Sequence, residues 1–250
     1  MKNYEKVDII IQARLGSTRL PGKILYKIFD KTILAHVIDR LKKCKNVSNI
    51  IIATTKNQND KLIEDYCKTN KIAYFRGDEY DVLDRYYKTA IYFKSKYIVR
   101  ITSDCPLIDP IIVDKMIDYF FENNKKFLNM KYFNNQNGAH GGFPDGTNMY
   151  IFTIEDLEDA WKNTNDKFDR EHVCPYMIRK YKFNKKYDIS LPKKYKNINF
   201  KTLHLSLDTI LDYYLIKNIY ENLYFISKNF TIYDVLNYLD KNSKLLAYQK

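Results

Sequence analysis

Residues 12–23 read QARLGSTRLPGK, placing Arg14, Arg19 and Lys23 on one short stretch with Gly16, Gly22 and the hydroxyls of Ser17 and Thr18. Cations interleaved with glycine suit an anion: the charged groups neutralise it, and glycine lets backbone N–H groups approach it closely. The stretch follows the apolar run VDIII, Val7–Ile11. A loop at the carboxyl end of a buried strand is where α/β folds bind phosphates. Two common phosphate loops are excluded by spacing. Five residues rather than four separate Gly16 from Gly22, Ile24 stands where a Walker loop carries Ser or Thr, and no G-x-G-x-x-G is present. What remains is a grip for a triphosphate, with an exposed basic loop as the plainer alternative.

Two carboxylates sit where a hard cation could use them. Asp104, in SDCPLIDP, lies just beyond the apolar run YIVRIT, and Asp208 is the next-to-last residue of LHLSLDT, just ahead of a helical pattern. Divalent cations such as Mg²⁺ take oxygen ligands of this kind, although turn or cap roles fit both positions. Arg76, Arg85 and Arg100 are candidates for a nucleotide's ribose or phosphates, or for ion pairs with Asp81 and Asp84. The hydroxyls of Thr54, Thr55, Thr102 and Ser103 fall at strand ends and are candidates for reading a base or sugar. Arg170, Glu171 and His172 form a polar cluster on a helical stretch.

The elements that must position these residues follow from periodicity. Val7–Ile11, NIIIATT (Asn49–Thr55), Ile72–Phe75 and Tyr97–Thr102 read as buried strands, being β-branched, aromatic and uninterrupted. Between them the spacing predicts helices over Ile33–Cys44, Asn59–Asn70 (Leu62, Ile63 and Tyr66 inward) and Val82–Phe93. Asp109–Pro110 then reads as an N-cap with proline at the first position of a helix over Ile111–Phe121. Alternating strands and helices imply a mostly parallel sheet covered on both faces, a Rossmann-like three-layer α/β sandwich in one domain. Residues 123–144 read as irregular, Ile154–Trp161 and Arg170–Lys180 as helical, and Lys182–Lys201 as hairpin strands. A further strand over 203–209 runs into helix Ile210–Phe225, and Tyr233–Leu239 forms the last helix. The segment 123–201 is expected to make a small sub-domain for acceptor binding or dimerisation.

The net charge of +12 invites a polyanion, but only 8 of the 42 basic residues are Arg and the lysines are spread along the chain. That pattern points to phosphorylated small molecules rather than nucleic acid. Cys44, Cys67, Cys105 and Cys174 lie far apart without a C-x-x-C pair, as reduced thiols would. The start MKNYEKVD lacks a signal-peptide core, and no apolar run nears the roughly 18 residues that span a bilayer. These features predict a cytoplasmic protein without membrane insertion.

VDIIIQARLGSTRLPGKIL (7–25) resembles the signature of the cytidylyltransferases that activate acidic sugars, among them the Kdo and acylneuraminate enzymes, and is most similar to the SpsF-like branch. The similarity continues in order through FRGDEYDVLDRYY (75–87), VRITSDCPLIDP (99–110), FPDGTNMYIF (143–152), FDREHVCPY (168–176) and LSLDT (205–209). It implies the nucleotide-diphospho-sugar transferase fold, which is GT-A-like, and transfer of CMP from CTP to a sugar or phosphorylated acceptor with release of pyrophosphate. It implies nucleotide contacts at Ala13, Arg14, Gly16, Ser17, Arg19, Lys23, Arg76, Arg100 and Ser103. Arg14, Lys23 and Asp104 are its catalytic set, Asp104 and Asp208 its Mg²⁺ ligands, and a homodimer its usual assembly. Arg170, Glu171 and His172 match the acceptor side. Where SpsF-like chains read Gly-Leu-Asp-Val-Glu, this chain has Gly146-Thr147-Asn148-Met149-Tyr150, so two carboxylates are absent and Asp145 is the nearest replacement. The alternatives are a GT-A-like glycosyltransferase, although Ser103-Asp104-Cys105 lacks the D-x-D of such enzymes, and a non-catalytic nucleotide- or RNA-binding module suggested by the charge and the 23 tyrosines.

Overall fold

VDIII forms the centre of a sheet. In the computed structural model, which describes residues 5–130, 144–181, 197–199 and 202–249, β1 (Val7–Gln12) lies between β4 (Asn49–Thr55) and β6 (Tyr97–Thr102) and pairs in parallel with both. Buried on both sides, such a strand must be apolar at consecutive positions rather than at alternate ones. Val7, Ile9 and Ile11 point to one core and Ile10 to another. Asp8 is also fully buried, and it accepts from Ser95 Oγ at 2.6 Å and Asn49 Nδ2 at 2.7 Å.

β5 (Ala73–Gly77) extends the parallel side beyond β4. Past β6 the direction reverses: β8 (Tyr150–Thr153) runs antiparallel to β6, and β7 (Phe127–Asn129) antiparallel to β8, giving the order β5-β4-β1-β6-β8-β7. The short strands β2 (Lys27–Ile28) and β3 (Lys31–Thr32) form a separate hairpin after the basic loop.

Helices cover both faces. On one lie α1 (Ile33–Leu41), α2 (Lys61–Thr69), α4 (Pro110–Glu122), α8 (Ile210–Leu223) and α9 (Ile232–Lys241). The other is covered by α3 (Val82–Phe93), α5 (Ile154–Asn163) and α7 (Pro175–Tyr181). The sequence positions the helix starts: Thr32, Asp81, Asp109, Thr153, Thr209 and Thr231 each accept a first-turn N–H, and Pro110 fills the first position of α4. Each buried Ile or Leu along these interfaces contributes roughly 1.5–3 kcal/mol.

Three expectations need correction. The segment 203–209 is not a sheet strand. Leu203, Leu205 and Leu207 are buried as an alternating pattern demands, but the backbone bonds to Asp145 O and Asp104 O, with a single bridge between Asp145 and His204. The helix over 170–180 is two, α6 (Lys167–His172) and α7, because Val173 adopts φ 70° and Pro175 starts afresh. Leu62 faces solvent while Ile63 and Cys67 turn inward. Of the segment 123–201, the described residues supply β7 and β8 to the main sheet and α5 to the layer packed on α3. The hairpin expected over 182–201 falls largely outside the described residues.

Candidate active site

The basic loop leaves β1 and folds back on itself. Ser17 and Gly22 each donate a backbone N–H to Leu15 O, at 2.8 and 3.0 Å. Gly22 takes φ 66°, a left-handed conformation that glycine adopts without strain, and it turns the chain into the single 3-10 turn carrying Lys23. Asp60, which no motif in the sequence marks, fixes the loop from outside: it accepts from Leu15 N at 2.7 Å and from the buried Thr55 hydroxyl. Thr55 is thereby held by Asp60, Thr54 is equally buried, and neither lines the cleft.

The loop forms one wall of a cleft of about 340 Å³ at the carboxyl ends of β1 and β6. Arg14, Gly16, Ser17, Arg19 and Lys23 line it, with Ala13 and Gln12 at its base. Thr102, Ser103 and Asp104 come from the end of β6, Glu171 and His172 from α6, and Asp208 from the segment before α8. Arg85 adds a further cation. Its stem packs so tightly on Gly77 that a Cβ there would lie 2.8 Å from Arg85 Cγ. Nη1 donates to the carbonyls of Asp78 and Glu79, leaving Nε buried without a partner among the described residues.

Lys23 and the two acids converge. Its ammonium donates to Asp104 Oδ2 at 2.6 Å and Asp208 Oδ1 at 2.9 Å, and Arg19 Nη2 reaches the same Asp208 oxygen at 2.9 Å. Burial works against the Lys23 charge, but the two carboxylates outweigh it and raise its pKa. Arg14 makes no ion pair among the described residues and lines the cleft with its charge uncancelled.

Asp208 is held from behind by His204, which the sequence reading did not identify. His204 Nδ1 lies 3.0 Å from Asp145 Oδ2 and Nε2 lies 3.1 Å from Asp208 Oδ2. Hydrogen bonds to Asp145 and Asp208 push the imidazole up to about 10, and His204 in turn holds the Asp208 carboxyl far below the usual carboxylate range. Asp145 also accepts from Asn148 Nδ2 at 2.5 Å and Gly146 N at 3.0 Å. Gly146 permits this arrangement: at φ 91° its backbone lies so close to 205–206 that a Cβ would sit 2.2 Å from Ser206 N. Asp208 is not the cap of α8, a role taken by Thr209.

Asp145 does not line the cleft; it contacts His204, which in turn contacts Asp208. Arg170 is also withdrawn: it pairs with Asp81 and donates to Trp161 O at 2.9 Å, tying α6 to the start of α3. Arg76 is bound to Glu64 at 2.6 Å and to the carbonyls of Thr55 and Asn57, away from the cleft. Asp84 takes Trp161 and Lys88 instead of a strand arginine. Arg100 lines an adjoining cavity rather than the main cleft.

The acids suit a hard cation in one respect that is visible here: both carboxylates already share a single cationic group, the Lys23 ammonium. No cluster of three or more His, Cys, Asp or Glu that could hold a metal occurs among the described residues; the two carboxylates that converge in the cleft are Asp104 and Asp208. Magnesium is commonly held in this way, by one or two carboxylates plus substrate phosphates.

A family model described as cytidylyltransferase matches residues 9–231. An uncharacterized protein of Methanocaldococcus jannaschii is 35% identical, covering 96% of this chain and 93% of its own. The spore coat polysaccharide biosynthesis protein SpsF of Bacillus subtilis is 30% identical over 85% of each chain. The structure of a cytidylyltransferase from Leptospira borgpetersenii serovar Hardjo-bovis superposes with a TM-score of 0.84 at 35% identity, covering 97% of both chains. No helix among the described residues is long and apolar enough to cross a membrane.

Proposed function

The chain belongs to the cytidylyltransferase family, a nucleotidyltransferase by that membership, and from this premise we propose that it transfers CMP from CTP to a small sugar or phosphorylated acceptor and releases pyrophosphate, with Mg²⁺ as cofactor. The observation that carries the reading is the convergence of Lys23 with Asp104 and Asp208 beside the loop cations. In this reading Arg14, Arg19 and Lys23 bind the triphosphate, and Arg85 adds charge at its edge.

The acceptor oxygen forms a bond to the α-phosphorus while the bond to the β-phosphate oxygen breaks. Negative charge grows on the leaving pyrophosphate, where fixed cations in a cleft stabilise it most effectively. Asp104 and Asp208 would hold Mg²⁺, which when bound neutralises charge on the phosphates. Lys23 keeps the two carboxylates together despite their repulsion, and His204 fixes the rotamer of Asp208. His172 and Glu171, on the far wall of the cleft, face the acceptor.

Pyrophosphate release measured with each of CTP, UTP, ATP and GTP, together with a panel of sugar acids and sugar phosphates, tests the proposal. Release with CTP that requires both an acceptor and Mg²⁺ is the expected result. No release with any nucleotide would overturn it.

A further inference from the structure

Arg100 is a charge in the middle of a central strand. In YIVRIT its neighbours Val99 and Ile101 face one core, and Arg100 faces the other, alongside Ile98. Only 9% of it is exposed. Its Nη2 donates to Gln12 Oε1 at 2.8 Å, and its guanidinium lies 5.7 Å from the Tyr86 ring centroid and 5.4 Å from that of Tyr150. Nε has no partner, and no carboxylate among the described residues pairs with Arg100. A guanidinium withdrawn from water without a counter-ion is a costly arrangement that folding alone does not favour.

The side chain borders a cavity of about 430 Å³ whose walls include Tyr150, Phe168, His172 and Arg179. Arg179 is already matched by Asp169 at 2.9 Å, so the charge left unanswered there is that of Arg100. This cavity adjoins the main cleft, because His172 lines both and Gln12 both lines the cleft and holds Arg100. Tyr150 is the cross-strand partner of Arg100 and occupies the last position of the stretch where the chain departs from the SpsF-like pattern. Aromatic walls with one buried cation match a ligand that has an apolar ring face and a single oxyanion.

We propose that Arg100 is the anion-binding residue of an acceptor subsite, receiving a carboxylate or phosphate group of the molecule that accepts CMP. The inference rests on the transferase reading for the word acceptor, but the anion site itself does not. The residues outside those described hold one acidic side chain, Asp188, which the test includes.

Thermal unfolding is followed for the wild type, Arg100→Met, Tyr150→Glu and Asp188→Asn, both without nucleotide and with CTP and Mg²⁺, and with acetate or inorganic phosphate added against chloride at equal ionic strength. The wild type and Asp188→Asn should rise by about 3 °C at probe concentrations well above the dissociation constant. Arg100→Met, and Tyr150→Glu in which a carboxylate is supplied across the strands, should not respond. Preference for acetate or for phosphate identifies which oxyanion the acceptor carries. Arg100→Met should also be no less stable than the wild type without probe. An equal response in wild type and Arg100→Met, no response in the wild type, or a response gained only in Asp188→Asn would overturn the inference. Failure of CTP to shift any of the four proteins would instead count against the transferase reading, since the probe response without nucleotide still reports the anion site.

Discussion

Lys23 and Arg100 are withdrawn from water to the same degree, 9% exposed each, yet their surroundings are opposite. Lys23 meets two carboxylates, while Arg100 meets an amide oxygen and two aromatic faces. A cation that must stand at a fixed point before a ligand arrives is held by acids. One whose counter-charge comes with the ligand is left open. Two other arginines extend the contrast: Arg76 and Arg170 are matched by Glu64 and Asp81, outside the cleft.

The sharpest break of this comparison is at Lys23 itself. Lys23→Ala should lower turnover about 10²–10³-fold, the effect of removing one preorganised charge stabiliser, and Asp104→Asn should do the same, both read as pyrophosphate release at saturating CTP. Near-normal turnover in Lys23→Ala would make its two ion pairs structural and remove the distinction from Arg76. The loss should fall on turnover rather than on folding, which far-ultraviolet circular dichroism of the variant checks.

The next largest effect concerns how Asp208 reaches Lys23. Gly146→Ala forces a Cβ onto the 205–206 backbone and a side chain into a left-handed conformation. It should lose roughly 2–4 kcal/mol in urea unfolding. A stability close to the wild type would show that the approach of 145–146 to 205–206 is not what places the acid.

The matched arginines should behave in the opposite way to Lys23. Arg170→Ala removes a half-buried ion pair and should cost about 1–2 kcal/mol of stability, with kcat unchanged. A large fall in kcat with no loss of stability would return Arg170 to the acceptor side.

These contrasts also explain what could be read from sequence. The parallel strands were legible because VDIII, NIIIATT and YIVRIT are apolar at consecutive positions, which only a doubly covered sheet demands. LHLSL carries an equally clear alternation, and its leucines are buried, yet its hydrogen-bond partners are the backbones of Asp104 and Asp145. Alternation reports which side is buried and not what the other edge bonds to. The basic loop was legible because its cations and glycines are neighbours in the chain. Asp60 and His204 were not, since each acts through contacts with distant segments, Asp60 on Leu15 and His204 on Asp145. For the same reason the spacing could nominate Arg76 and Arg170 for a ligand but could not reveal Glu64 and Asp81 waiting for them.

The comparison also predicts a pH dependence at His204, and its sign follows from the shift. Folding raises the imidazole from its ordinary value of 6.5 to about 10, because Asp145 and Asp208 accept from it. The folded protein therefore holds a proton that the unfolded chain has released at any pH between those two values. The contribution is complete below pH 6.5, declines as pH rises and is gone above about 10. Subtracting the stability of His204→Gln from that of the wild type cancels the lysines and tyrosines that titrate in the same range. That difference, from urea unfolding at pH 6, 8 and 10, should shrink steadily. A difference that stays constant would mean the imidazole is neutral in the folded state, and Asp208 would then be oriented by Lys23 and Arg19 alone, making the cationic loop both the grip on the ligand and the support of the acid.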